Sequence, residues 1–316
     1  MKLLVTGVAG FIGSKLTERL IARGDDVVGL DNFDPFYPRE TKERNLTSLR
    51  SAIRFVEGDI TDRGGLDRLL AAERFDAVIH LAALAGVRPS IREPWRYAHV
   101  NVVGTAHLAE AMIARGVSRL VFASSSSVYG DNTLVPYEES QRVDEPASPY
   151  ATTKRAGELM LDTFAKLHGL SSSCLRFFTV YGPRQRPEMA IHKFARAIER
   201  GEPVTLYGDG SSSRDYTYID DVVDGVLGAL DRPPVGARIY NLGGTQPVRL
   251  DALVRELGRA LDKQPTLVHA PPQPGDVHQT WADVSRARSE LGYAPQVPLP
   301  EGLRRFASWL RGESEW

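Results

Sequence analysis

One cysteine in 316 residues, Cys174, excludes an intramolecular disulfide and fits a reducing compartment. Seven histidines fall nowhere into metal-ligand spacing, so with a single thiol no metal site is expected. No apolar run approaches the ~20 residues needed to cross a bilayer. Charge of one sign is missing as well: 39 Lys+Arg stand against 40 Asp+Glu, a formal net charge of -1. That leaves no basic field for nucleic acid and no polybasic membrane anchor. Lysine is scarce, seven against 32 arginines, so any well-placed lysine stands out. The chain runs from Met1-Lys2 straight into the strand-like Leu3-Leu4-Val5-Thr6, leaving no room for a signal peptide. A cytoplasmic protein is the expectation.

What is present is an ordinary globular mixture, 42% apolar and 25% charged, long enough for one or two domains with a proper core. Short apolar runs at Leu3–Thr6, Val27–Leu30, Arg54–Glu57, Ala77–Leu81, Leu120–Ala123 and Ser173–Phe178 alternate with helix-length segments. Nearly continuous, β-branched runs in that rhythm predict buried parallel strands, hence a doubly wound α/β sheet. Ile12, Leu16, Leu20 and Ile21 share one helical face, and Gly24 ends that helix. Beyond about Thr179 the texture changes to Gly- and Pro-rich loops between short helices near 189–200, 218–230, 249–262 and 300–310. We read residues 1–178 as a nucleotide-binding domain, with a return segment near 215–248. Residues 179–316 read as a smaller α+β lobe that holds a second ligand in the cleft.

Thr6-Gly7-Val8-Ala9-Gly10-Phe11-Ile12-Gly13 follows the first strand and opens the first helix. Its glycines permit a tight turn, close approach to a pyrophosphate and close helix–strand packing, while the helix N-terminus offers free N–H groups to phosphate. Asp31 ends the second strand 18 residues after Gly13. A carboxylate there accepts ribose hydroxyls and repels a 2′-phosphate, predicting NAD rather than NADP. The first basic residue after it, Arg39, comes too late to clamp a phosphate. Asp59-Ile60 would cover the adenine and Leu81-Ala82-Ala83 would line the phosphate–ribose path, with Asn32 and Phe177 as further cofactor-binding candidates.

Tyr150 and Lys154 stand at i and i+4, on one helix face. A phenol with pKa ~10 is a poor base, but neighbouring cations favour the phenolate, which could take a hydroxyl proton as hydride leaves the same carbon. Eleven tyrosines and seven lysines would produce about 0.24 such pairs by accident, so the spacing alone decides nothing. Its weight comes from Ser124-Ser125-Ser126-Ser127-Val128-Tyr129-Gly130, directly after the fifth strand, where ligands of α/β sheets gather. His80 closes a buried strand and reads as a satisfied core histidine; Trp95 and Tyr97 read as helix or dimer packing.

The glycine loop, the Ser-rich strand end and Tyr-x-x-x-Lys together resemble the extended short-chain dehydrogenase/reductase family, and more closely its nucleotide-sugar epimerases. The likeness runs through the whole chain, including Ala85-Gly86-Val87-Arg88, Leu175–Pro183, Arg214–Asp221 and Pro274-Gly275-Asp276. It implies a Rossmann-type fold, bound NAD and a UDP-sugar substrate. Carried over by residue, Ser125 and Tyr150 bracket the sugar O4, Lys154 holds the nicotinamide ribose, and Asn101 sits near the cofactor. Arg88 and Arg214 would contact the diphosphate, and Phe194, Leu206 and Tyr207 would flank the uracil. The resemblance also implies a homodimer paired through the helices near 95–115 and 150–168.

Family members that eliminate water resemble Thr-Asp-Glu before Val-Tyr-Gly, and those that decarboxylate UDP-glucuronate resemble Thr-Ser-Glu. Here Ser125-Ser126-Ser127 offers hydroxyls only, so oxidation and re-reduction at C4 is the economical chemistry. Gln273 replaces the arginine of the Arg-Pro-Gly-Asp pattern in UDP-glucose 4-epimerases. Gln273-Pro274-Gly275-Asp276-Val277 and Arg186-Pro187-Glu188-Met189 are more like the branch that epimerises UDP-glucuronate, with Arg186, Thr179 and Ser127 as anchors for the C6 carboxylate. The rivals are UDP-glucose/UDP-galactose 4-epimerisation, a relaxed UDP-sugar 4-epimerase, and a non-catalytic NAD sensor.

Overall fold

Alternate residues of the N-terminal apolar runs face opposite ways, and that alternation builds the molecule. The computed structural model describes residues 1–271 and 277–312. Its elements run β1 (Lys2–Thr6), α1 (Phe11–Ala22), β2 (Asp26–Asp31), α2 (Arg39–Leu46), β3 (Arg54–Glu57), α3 (Arg63–Ala72), β4 (Ala77–His80), α4 (Val87–Arg92) and α5 (Pro94–Ala98). A π-helical turn, His99–Val103, leads into α6 (Gly104–Ala114), followed by β5 (Arg119–Ser125) and a short 3-10 turn, Ser126–Tyr129. Then come α7 (Pro149–His168), β6 (Ser171–Phe177), β7 (Thr179–Tyr181), α8 (Ala190–Arg200), β8 (Val204–Tyr207) and β9 (Ser213–Tyr218). The chain closes with α9 (Ile219–Asp231), β10 (Ala237–Leu242), β11 (Pro247–Arg249), α10 (Leu250–Ala260), β12 (Leu267–Ala270), α11 (Ser285–Leu291) and α12 (Leu299–Arg311).

Seven strands form one parallel sheet in the order β10-β6-β5-β4-β1-β2-β3. All six expected strands are in it. The chain progresses one way from β1 to β3 and the other way from β4 to β6, so the topological switch lies between β1 and β4; ligands of such sheets bind outside the strand ends there. Leu3, Val5, Ile79 and Val121 face one hydrophobic cluster, shared with α1, α9 and the C-terminal segments. Leu4, Val28, Val78 and Leu120 face the other, covered by α3, α6 and Leu161 of α7. The late strand β10 pairs with β6, Ala237 opposite Ser172 through Leu242 opposite Phe177. The rest of the C-terminal half carries a three-stranded sheet, β11-β9-β7, and a two-stranded one, β12-β8. Its helices fall close to the four expected segments.

Helix α7 is the longest, 20 residues, and its ends explain its position. Ser148 caps it by accepting the Ala151 N–H, Pro149 supplies a pre-set first residue, and Gly169 ends it in the left-handed region at φ 70°. Among the described residues no helix is long and apolar enough to cross a membrane, and no group of three His, Cys, Asp or Glu could hold a metal ion. Leu161 is fully buried on the outer sheet face, away from the cavity described below. Leu161→Ala is expected to cost about 2–5 kcal/mol, read as a lowered Tm with unchanged cofactor content; an unshifted transition would place α7 elsewhere.

Candidate active site

A cavity of about 480 Å³ opens at the switch point. One end is made by Gly7, Gly10, Phe11, Ile12 and Gly13 with Asp31, Asn32, Gly58 and Ile60; Leu81, Ala82 and Ala83 continue the wall. Gly7 sits at φ +74°, and a Cβ there would lie 2.7 Å from the Ala82 nitrogen. A Cβ on Gly13 would collide with the Gly7 carbonyl. The turn therefore tolerates only glycine, and α1 begins at Gly10 with no side-chain cap, leaving its first N–H groups for a ligand. A dinucleotide fits this cradle.

Asp31 accepts the Ala9 N–H at 3.0 Å and the Phe33 N–H at 2.9 Å, which binds the strand end to the glycine turn. Burial raises its pKa, opposed by the charge of Lys42, 4.0 Å away, and by those two donors. Lys42 is buried, donates to the Asp34 carbonyl at 2.9 Å and lines the cavity. Arg39, too late in the loop to clamp a phosphate, pairs with Glu43 and Glu57 at the surface, and no motif marks Lys42. The scarcity of lysine was the signal available. Phe36 and Tyr37, from the same loop, also form part of the wall and had no motif to reveal them.

At the other end of the cavity stand Ser125, Ser126, Ser127, Tyr150, Lys154, Phe177, Thr179, Arg186 and Arg214. Ser125 caps the 3-10 turn, accepting from the Ser127 N–H at 3.2 Å and the Ser127 hydroxyl at 2.9 Å. Its own proton is then free to bond the Tyr150 oxygen, an interaction that favours the phenolate. Burial outweighs it, with the Arg186 charge also on the phenolate's side, and the Tyr150 phenol stays above its ordinary pKa. Lys154 Nζ lies 6.0 Å from the Tyr150 ring centroid and donates to the Ala123 carbonyl at 2.7 Å. Burial draws the Lys154 ammonium down to about 7, with Glu158 opposing.

Asn101 does not line the cavity. Its amide is spent on the backbone of Leu84, accepting from N at 2.8 Å and donating to O at 2.9 Å, and on Thr153 Oγ1 at 3.0 Å. Asp59 turns to Asn32 and Thr61 instead. Leu206 is buried in the core and Phe194 packs against it, so neither reaches the wall. Tyr207 lies under Arg88, whose guanidinium carbon is 5.0 Å from the ring centroid. Arg214 donates to the carbonyls of Ser213 and His278. Arg186 has its Nε 3.2 Å from Glu188 and its guanidinium carbon 5.7 Å from the centre of the Phe36 ring. Gln273 and Asp276 lie outside the described residues.

His80 is satisfied within the core, as expected of it. Thr105 donates its proton to the Asn101 carbonyl at 2.6 Å, so at 3.0 Å from His80 Nε2 it can only accept. The imidazole is therefore the Nε2–H tautomer, and Nδ1 accepts from Thr6 Oγ1 at 2.7 Å. Burial, aided by the Lys154 charge, pulls its pKa down to about 3.

Fold and cavity together define a nicotinamide-dinucleotide enzyme on the short-chain dehydrogenase/reductase plan. Residues 3–243 match the family described as the NAD dependent epimerase/dehydratase family, and the chain belongs to it. It is 44% identical to UDP-glucuronate 4-epimerase 3 of Arabidopsis thaliana over 98% of this chain and 76% of that one. It superposes with a TM-score of 0.93 on the crystal structure of UDP-glucuronic acid 4-epimerase from Bacillus cereus in complex with UDP-glucuronic acid and NAD, at 36% identity over 99% of this chain and 100% of that one. A UDP-glucose 4-epimerase from Thermotoga maritima with UDP-glucose gives 0.92 at 35% identity, covering 99% of both chains.

A histidine kept neutral when folded makes stability fall with acid, because the unfolded chain takes up a proton near pH 6.5 that the native state refuses until about 3. His80→Gln can accept from Thr6 and donate to Thr105 without titrating. Its unfolding free energy should match the wild type at neutral pH and decline less between pH 6.5 and 3; parallel pH profiles would refute the assignment.

Proposed function

We propose that the protein is an NAD-dependent UDP-sugar 4-epimerase that interconverts UDP-glucuronate and UDP-galacturonate through a 4-keto sugar. Residues 1–178 with the 215–248 return would carry NAD, and 179–316 would supply the sugar-nucleotide lobe. The observation that carries the reading is the wall beside Tyr150: among the described residues its only carboxylates, Asp31 and Asp34, belong to the segment that bounds the glycine-turn end. Among the described residues no acid of that wall stands beside Tyr150 to drive elimination or to protonate a leaving group.

When bound, NAD supplies a hydride acceptor that returns the hydride to the same carbon. Tyr150 takes the O4 proton, and the Ser125 hydroxyl stabilises the phenolate with the proton that Ser127 leaves free. Lys154, anchored on Ala123, would hold the nicotinamide ribose. Asp31 and Lys42 would hold the adenosine ribose, with Asn32 and Ile60 around the adenine and Asp59 behind them, bonded to Asn32. Arg88 with Tyr207 and Arg214 would take the UDP part, joined by Gln273 and Asp276; planar multi-donor cations suit a diphosphate. A 4-keto uronate is a β-keto acid, prone to lose CO2. Holding its carboxylate in the plane of the ketone with Arg186, Thr179 and Ser127 suppresses that loss.

Trp95, Leu159 and Leu167 are 72%, 52% and 69% exposed, on the helices that would pair in a homodimer. Sedimentation at the mass of one chain would remove the dimer. The single buried thiol supports a cytoplasmic setting.

Incubation with UDP-glucuronate, UDP-glucose and UDP-N-acetylglucosamine, followed by separation of the epimers, tests the substrate; UDP-galacturonate should dominate, and a pentose product would overturn the scheme. Arg186→Ala should raise KM for UDP-glucuronate far more than for UDP-glucose. Equal effects on both would end the carboxylate role.

A further inference from the structure

The stripe on α7 does not stop at Lys154. One turn further stands Glu158, on the face that carries Tyr150 and Lys154, and its side chain is wholly shielded from solvent. It meets the end of β5 one residue along from Lys154: Lys154 Nζ is on the Ala123 carbonyl, and Ser124 Oγ donates to Glu158 Oε1 at 2.6 Å. Arg176 of β6 donates to both carboxylate oxygens, Nε to Oε1 and Nη2 to Oε2, each at 2.8 Å. Arg155 adds Nη1 to Oε2 at 3.1 Å from the half-exposed side. A buried carboxylate this well satisfied is costly to assemble and, for stability alone, often replaceable by apolar packing. Its place beside the nicotinamide-side lysine suggests a second reason for it.

We propose that Glu158 is a positioning residue for the reaction, acting through Lys154: one helical turn on and bonded to Ser124, next to the Ala123 carbonyl that receives the ammonium, its buried carboxylate is the anionic neighbour of Lys154. This rests on the Lys154 role given under the proposed function. The groups facing Lys154 are Tyr150, the Phe122 ring at 5.1 Å, His80 and Glu158. Of these Glu158 is the anion. Facing Glu158 are Ser124, Lys154, Arg155 and Arg176, with Cys174 and Asp162 near the same pair. Arg176 in turn rests on the Tyr129 ring, 4.8 Å from its centroid, whose hydroxyl donates to Asn241 at 2.7 Å. The carboxylate beside Lys154 is therefore held in place from β6 as well as from its own helix.

The sign follows directly. Glu158→Gln removes the charge that favours protonation, so Lys154 should titrate about one to two pH units lower. The direct readout is the side-chain resonance of Lys154 in protein carrying isotope-labelled lysine, assigned by its absence in Lys154→Met and followed against pH in the purified protein with its resident cofactor content. The same shift should appear as a lowered alkaline limb of kcat/KM for the epimerisation, and Glu158→Asp should restore part of it. A carboxylate that serves only the fold would lower the folded fraction, and activity at every pH, without moving either midpoint. A folded Glu158→Gln with an unmoved Lys154 resonance overturns the proposal. If Lys154 shifts while no epimer forms from any UDP-sugar, the charge relation stands and the epimerase reading fails. Should Glu158→Gln not fold, Arg155→Gln, at the accessible end of the cluster, must raise the Lys154 midpoint; a fixed or lowered one is equally fatal.

Discussion

Helix α7 lies with its first two turns against the carboxyl end of β5, and the chemistry of the molecule depends on that contact. The helix brings a phenol, an ammonium and a carboxylate to one stripe; the strand offers a carbonyl at Ala123 and hydroxyls at Ser124 and Ser125 to receive them. Tyr150, Lys154 and Glu158 find their partners at Ser125, Ala123 and Ser124, three consecutive residues of the strand end. A shift of α7 by a single residue would rotate the stripe by about 100° and leave an ammonium and a carboxylate buried without partners. The Ser148 cap and the Gly169 stop hold it in place.

That contact borders the cavity that opens at the switch point between β1 and β4. Because the chain turns back after β3, the glycine turn after β1 and the loop after β4 face each other across the switch. The Asn101 amide pins the second of these through Leu84 and bonds α7 through Thr153. His80, bridging Thr6 and Thr105, ties the first strand to the helix behind Asn101. The cofactor floor and the Tyr150 helix are thereby joined by neutral hydrogen bonds, which carry no charge into a site where charge governs reactivity. The charged groups are segregated: Asp31 with Lys42 at one end, Lys154 above Glu158 and its arginines at the other, and Arg186 and Arg214 in the cavity wall.

How much of this was legible in the chain alone varies by residue. The six strands, the glycine turn and Asp31 could be read because each rests on a local pattern: a continuous β-branched run, a fixed glycine spacing, an acid at a strand end. Tyr150 and Lys154 were readable as neighbours because helical spacing fixes a face. What that spacing could not supply was depth. Leu206, expected beside the uracil, is packed into the core, and no local pattern shows that Lys154 is buried on the Ala123 carbonyl. Lys42 went unseen because the loop between Asn32 and Pro38 folds back on itself and returns the lysine to an aspartate eleven positions earlier.

The sequence by itself determined which segments become strands and helices, where a dinucleotide phosphate can be approached, and that no acid flanks the serines at the reacting end. These follow from periodicity and residue type, which act over a few positions. Tertiary structure alone decided which charges lose water and what they find there: Arg176 reaching Glu158 from another strand, Arg88 lying over Tyr207, the imidazole of His80 held neutral between two threonines. Burial and pairing belong to segments that meet only when the chain is folded, and no local pattern encodes how far from solvent a given side chain will come to rest.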